Sequence, residues 1–195
     1  MGILLVSGIV WLLLLFPYFP GPSSRAVPLS SAHYALELLV VMASFLSLFI
    51  SLALAAFAHI RRRKDLAPHV TIFFLFFILN LLALRTASSW GHEMARHRVM
   101  RNAEPIISAI AAHKSHYGTY PANLESLSVP LATGVRGIER YAYERTKDEF
   151  ELSFIIDPGS FNPTVVMYRP SGNYVGKGEY PTIHHDAKWG YYVFD

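Results

Sequence analysis

Between Val70 and Tyr117 the chain holds a single proline, Pro105, and its side chains change character without a turn signal between them. From Val70 to Leu84 only Thr71 and Asn80 are polar. That run is shorter than the roughly 20 apolar residues a bilayer crossing needs. Arg85 can snorkel and Trp90 suits an interface, which extends the span to about Trp90. Beyond it, Val99, Ala103, Ile106, Ile107 and Ile110 recur at helical spacing. Arg96, Arg98, Arg101, Glu104 and Lys114 fall largely between them. Gly118 and Pro121 then end the helix by backbone chemistry. The pattern predicts one long helix over 70–117, first in lipid and then packed on a soluble domain. At Pro105 a kink is expected rather than a stop, because the apolar stripe keeps its phase.

The segment that closes this helix reads YGTYPANLESL. Tyr117, Gly118, Tyr120, Pro121, Leu124 and Leu127 resemble the pattern that closes the long first helix of type IV pilins and type II secretion pseudopilins. There an aromatic residue and G-x-Y-P lead into a short helix with leucines three apart. The downstream text YAYERTKDEFELSF resembles the strand pair that follows in pseudopilins. The resemblance runs from Val70 to Asp195 and implies an α+β domain, a pilin-like long helix packed on a small antiparallel sheet over 118–195. Two features depart from the family. The apolar run has neither the glycine–phenylalanine junction for peptidase cleavage nor a glutamate five residues in, and two further hydrophobic segments precede it. The resemblance therefore implies a pilin-like domain retained in a membrane protein, not a pilus subunit.

Mean hydropathy of +0.30, with 16% charged residues, is too apolar for an ordinary soluble domain of 195 residues. Residues 1–85 hold six basic against two acidic side chains, and residues 86–195 hold eleven against twelve. The basic excess thus belongs to the membrane half, so a nucleic-acid partner for the soluble half is not supported. The absence of cysteine removes disulfides and thiolate metal sites.

Residues 1–69 read as two transmembrane helices and a basic loop. Gly2 to Phe16 is a short first span, broken at Pro17 and Pro20, with Tyr18 and Phe19 at an interface. A cleaved signal peptide is the alternative, and the missing basic start argues against it. Tyr34 to Ile60 is the second span. Glu37 lies in its first turn, where a hydrated interfacial carboxylate is expected. Ala43, Ser44, Ser47, Ser51 and Ala55 offer a small-residue packing face. Arg61, Arg62, Arg63 and Lys64 place their short loop in the cytoplasm. Three spans then leave the C-terminal domain outside it.

In the soluble half, Asn123 to Leu127 reads as a short helix or turn. Tyr141 to Arg145 and Phe150 to Ile156 alternate about a turn near Lys147–Asp148, a hairpin. Thr164 to Tyr168 and Tyr174–Val175 flank Pro170–Asn173 and predict a second hairpin. Gly190 to Phe194 reads as a last edge strand.

Few side chains suggest chemistry. His184, His185 and Asp186 are adjacent, but neighbouring histidines diverge on a strand, which is poor for one ion. His92 and His97 are five apart, poor for one helical face. Asp157 opens a glycine-bearing loop without nearby carboxylates for calcium. No nucleophile elbow, P-loop or zinc signature occurs. The expected function is non-enzymatic and cofactor-free: a multi-pass bacterial inner-membrane protein with a periplasmic pilin-like domain, acting as accessory or scaffold subunit of a secretion-like envelope assembly. Expected partners are membrane lipid, other envelope proteins and further copies of the chain. The alternative is a periplasmic sensor or ligand-binding module coupled through the membrane helix to a partner.

Overall fold

The computed structural model describes residues 2–22, 26–62, 64–146, 148–157, 163–174, 184–186 and 188–193. The chain forms two units, one of Met1–Phe16 with Ala32–Gly91, the other of Pro17–Ser31 with His92–Asp195.

The first unit is helical. It contains α1 (Gly2–Leu15), most of α2 (Ala26–Arg61) and the first part of α3 (Ala67–Tyr117). Two of these, α2 and α3, are long and apolar enough to cross a membrane. The first is not. Its 14 residues extend about 21 Å at the helical rise, short of a hydrocarbon layer about 30 Å thick. The three expected spans are thus two helices of spanning length and one shorter apolar helix.

Leu39, Phe49 and Ile60 of α2 and Leu75 and Leu82 of α3 are all exposed. A continuous apolar sheath of this kind suits an apolar surrounding phase better than water. Of the expected small-residue face the serines turn inward, with Ser44, Ser47 and Ser51 buried, whereas Ala55 is half-buried and Ala43 exposed. Ser44 and Ser47 return their hydroxyls to carbonyls of α2 at 2.7 Å each, and Ser51 donates across to Val70 O at 3.3 Å. The Trp11 indole donates to Ala83 O at 3.0 Å, tying α1 to α3. Glu37 departs from expectation. It is half-buried, accepts from Ser88 Oγ at 2.6 Å and lies 3.3 Å from Nε2 of buried His33. It links α2 to α3 instead of facing water.

Arg61 closes α2, Arg62 turns the chain with a left-handed φ of +50°, and Lys64 opens a 3-10 turn, Lys64–Leu66. Arg63 lies outside the described residues. The basic cluster thus connects α2 to α3, as predicted.

In the second unit α3 runs through Pro105 to Tyr117 as one helix. Ala95, Val99, Ala103, Ile106 and Ile110 are fully buried along one face. They meet a five-stranded sheet of order β1-β2-β3-β5-β4, all neighbours antiparallel. The strands are β1 (Ala142–Arg145), β2 (Phe150–Ile156), β3 (Thr164–Tyr168), β4 (His184–Asp186) and β5 (Trp189–Val193). Strict alternation puts Phe150, Leu152, Phe154 and Ile156 in the core. Tyr141 donates to Val99 O at 2.8 Å, and the Arg96 guanidinium lies 4.1 Å from the Tyr191 ring centre, so helix and sheet share this face.

The first hairpin forms as predicted, with Tyr143 opposite Leu152 and Arg145 opposite Phe150. Thr146 N donates to Glu149 O at 2.8 Å to close it. Lys147 lies outside the described residues. The second predicted hairpin does not form. β3 pairs with β5 instead, and Tyr174 belongs to no strand. Its ring packs on Met167 and its hydroxyl reaches Met167 O (3.0 Å) and Lys188 O (2.5 Å). An aromatic residue that caps a sheet face reads in sequence like one that pairs within it. Val175 and Phe194 lie outside the described residues. β5, expected at an edge, is internal, and His184–Asp186 forms the edge strand beside it.

Candidate functional site

The turn after α3 is built as its residue types dictate. Gly118 has φ +75° and its N–H meets Lys114 O at 2.8 Å, the single-bond left-handed helix cap. Pro121 cannot continue the helix, and three successive carbonyls then need partners. His113 Nδ1 lies 3.0 Å from Thr119 O, Arg145 Nη1 donates to Tyr120 O at 2.8 Å, and Tyr143 donates to Pro121 O at 3.0 Å. Burial raises the Tyr143 phenol above its ordinary value, with Arg145 opposing the shift. Asn123 caps the short helix Leu124–Ser126 by accepting Ser126 N at 3.0 Å. Leu124 is buried and Leu127 half-buried. Tyr120 packs edge-on against Phe150, ring centres 5.3 Å apart. Tyr117 does not join the sheet. It is 66% exposed and stacks on the His113 and His116 rings.

Beside this turn lies a groove of about 390 Å³ between the last turns of α3 and the sheet. Tyr120, Phe150 and Tyr168 line it with Ala111, and Lys114 and Lys188 supply its charge. The Phe150 and Tyr168 ring centres are 5.9 Å apart. The Lys114 ammonium sits 4.0 Å from the Tyr120 ring centre, a cation–π contact. Burial raises the Tyr168 phenol above its ordinary value.

A second constellation joins residues that sequence spacing left apart. Tyr18 is buried, and its hydroxyl donates to Asp157 Oδ2 at 2.9 Å. His92 Nε2 contacts the same carboxylate oxygen, and the Tyr18 and His92 rings meet edge-on at 5.1 Å. Tyr18 is therefore not the interfacial aromatic expected. It is carried there by a docked segment, Pro17–Gly21. Gly137 N donates to Pro17 O (2.7 Å), Arg136 N to Phe19 O (3.3 Å) and Gly21 N to Gly134 O (3.1 Å). Pro20 bridges Val135. A carboxylate holding a histidine is half of a nucleophile-activating arrangement. Here the third member, Tyr18, bonds the carboxylate rather than the imidazole, which fastens the docked segment. Asp157 adopts a left-handed φ of +54° to serve both partners. The only local hint was an aspartate ending an apolar strand before Pro-Gly.

His97 pairs with Glu93 at 2.8 Å, away from His92's partner. His184 lies opposite Tyr191 and His185 opposite Gly190 in the ladder. Among the described residues no group of three or more His, Cys, Asp or Glu is placed to hold a metal ion. The Pro158–Asn162 part of the loop considered for calcium lies outside them. No protein-family model, curated protein or solved structure matches the chain.

Proposed function

We propose that the chain is a non-enzymatic, multi-pass inner-membrane protein of a bacterial envelope that presents its C-terminal α+β unit to partner proteins outside the cytoplasm. The observation that carries this reading is α3. Its first part bears exposed apolar side chains such as Leu75, Leu79 and Leu82, and its later part supplies the buried stripe of the α+β unit. One element thus anchors and builds the domain, as expected of a pilin-like unit retained at a membrane. The Tyr117–Leu127 turn supports the pilin-like resemblance, and α1, although short, serves as a third crossing if it sits in a thinned bilayer. Accessory subunits of secretion-like assemblies, and further copies of the chain, are the partners this reading implies. In-membrane photocrosslinking from exposed Ile155 on the sheet tests it. Discrete adducts to envelope proteins or to a second copy are expected. A correctly inserted, folded chain that yields only lipid adducts would end this reading.

The groove beside Lys114 favours a second reading, a ligand-binding module that signals through α3. Ligand-dependent change in the crosslinking pattern separates the two.

A further inference from the structure

We propose that the groove beside the end of α3 binds a small amphipathic carboxylate, its apolar group against Tyr120, Phe150 and Tyr168 and its charge between Lys114 and Lys188. A volume of about 390 Å³ falls in the range of small-molecule sites, which run from about 300 to 1,000 Å³. Its aromatic wall is continuous, because Phe150 contacts both Tyr120 and Tyr168. Among the described residues its lining contains two lysines and no acidic side chain. Charge is segregated on this domain. The concavity of about 160 Å³ that shares Phe150 is lined by Glu144, Glu149 and Glu151 against Arg169. An anion is therefore drawn to the lysine groove and repelled from its neighbour.

Lys114 is held in place for this role. The Tyr120 ring fixes its ammonium, and Asp148 O offers only a long 3.5 Å contact. An ammonium has three donors, so most of its capacity remains for a ligand carboxylate. The inference goes beyond the anchoring role and does not depend on a protein partner being found.

Calorimetric titration of the full chain in nanodiscs, corrected for empty discs, tests it with 3-phenylpropionate and its neutral amide. The wild type should bind the carboxylate roughly tenfold more tightly than the amide, the scale of two partly exposed ion pairs. Lys114→Gln with Lys188→Gln should erase that preference and keep weak binding of both. Ala111→Trp, which fills the groove from an exposed helix position, should abolish binding of both while the thermal transition stays. Equal affinity for acid and amide in the wild type, no binding of either, or wild-type binding by Ala111→Trp would each overturn the proposal.

Discussion

Gly118 shows how far a single residue can be read. A glycine two residues before Tyr-Pro at the end of an apolar stripe needs a left-handed φ, and it has +75°. Nothing lies within 4 Å of where a Cβ would sit. A substitution there therefore costs backbone strain alone. Gly118→Val should destabilise the α+β unit by about 1–3 kcal/mol, seen as a lowered Tm. An unchanged Tm would show that the turn relaxes freely. Tyr117 was less legible: the helix stops where expected, but its last side chain meets the His113 and His116 rings instead of the sheet. Two buried phenols give a pH prediction. Burial raises the Tyr141 pKa and pushes Tyr174 up to about 12, against the ordinary value of 10.0. In the unfolded chain both ionise near pH 10, so their contribution is complete below that and is lost as pH rises toward 12. Of eleven tyrosines, these two should ionise only as near-ultraviolet dichroism collapses. Ionisation of all eleven near pH 10 with the fold intact would contradict this.

At the scale of elements, local pattern succeeded where partners are close in sequence. The β1–β2 hairpin follows from alternation about a short turn, and α3 from its period. The β3–β5 pairing did not, because the chain between Tyr168 and Trp189 passes through Tyr174, whose ring covers the sheet without joining it. Least legible was the Pro17–Gly21 segment, which docks on residues more than a hundred positions away. Hydrophobic periodicity carries no information about such a partner. This docking makes a sharp prediction. A Cβ on Gly137 would lie 3.0 Å from Pro17 O, tighter than ordinary contact, so the branched side chain of Gly137→Val should displace the segment. In hydrogen exchange on the full chain, the amides of Gly21, Arg136 and Gly137 should lose protection while those of β2 and β3 keep theirs. Retained protection at Gly21 would mean that the contact adjusts without opening.

For the whole molecule, the docked segment constrains topology independently of charge. The basic loop at Arg61–Lys64 argues for a cytoplasmic α2–α3 connection by the bias of Lys and Arg toward that side. Separately, Pro17–Ser31 and His92–Asp195 belong to one unit. Two chain segments that share a folded unit cannot lie on opposite sides of a bilayer. If α2 and α3 cross a bilayer, as proposed, the connection after α1 and the C-terminal domain face the same compartment, and the α2–α3 connection faces the other. The chain contains no cysteine, so single cysteines report cleanly. Pro22→Cys and Ser128→Cys should both react with an impermeant maleimide added outside intact spheroplasts. Arg62→Cys should react only after permeabilisation. Neutralising the four basic residues should then scramble orientation in part of the population. In every molecule, though, positions 22 and 128 should stay on one side together, because docking and not charge couples them. Opposite labelling of those two positions would refute the shared unit, while joint labelling from the cytoplasmic side would refute only the orientation.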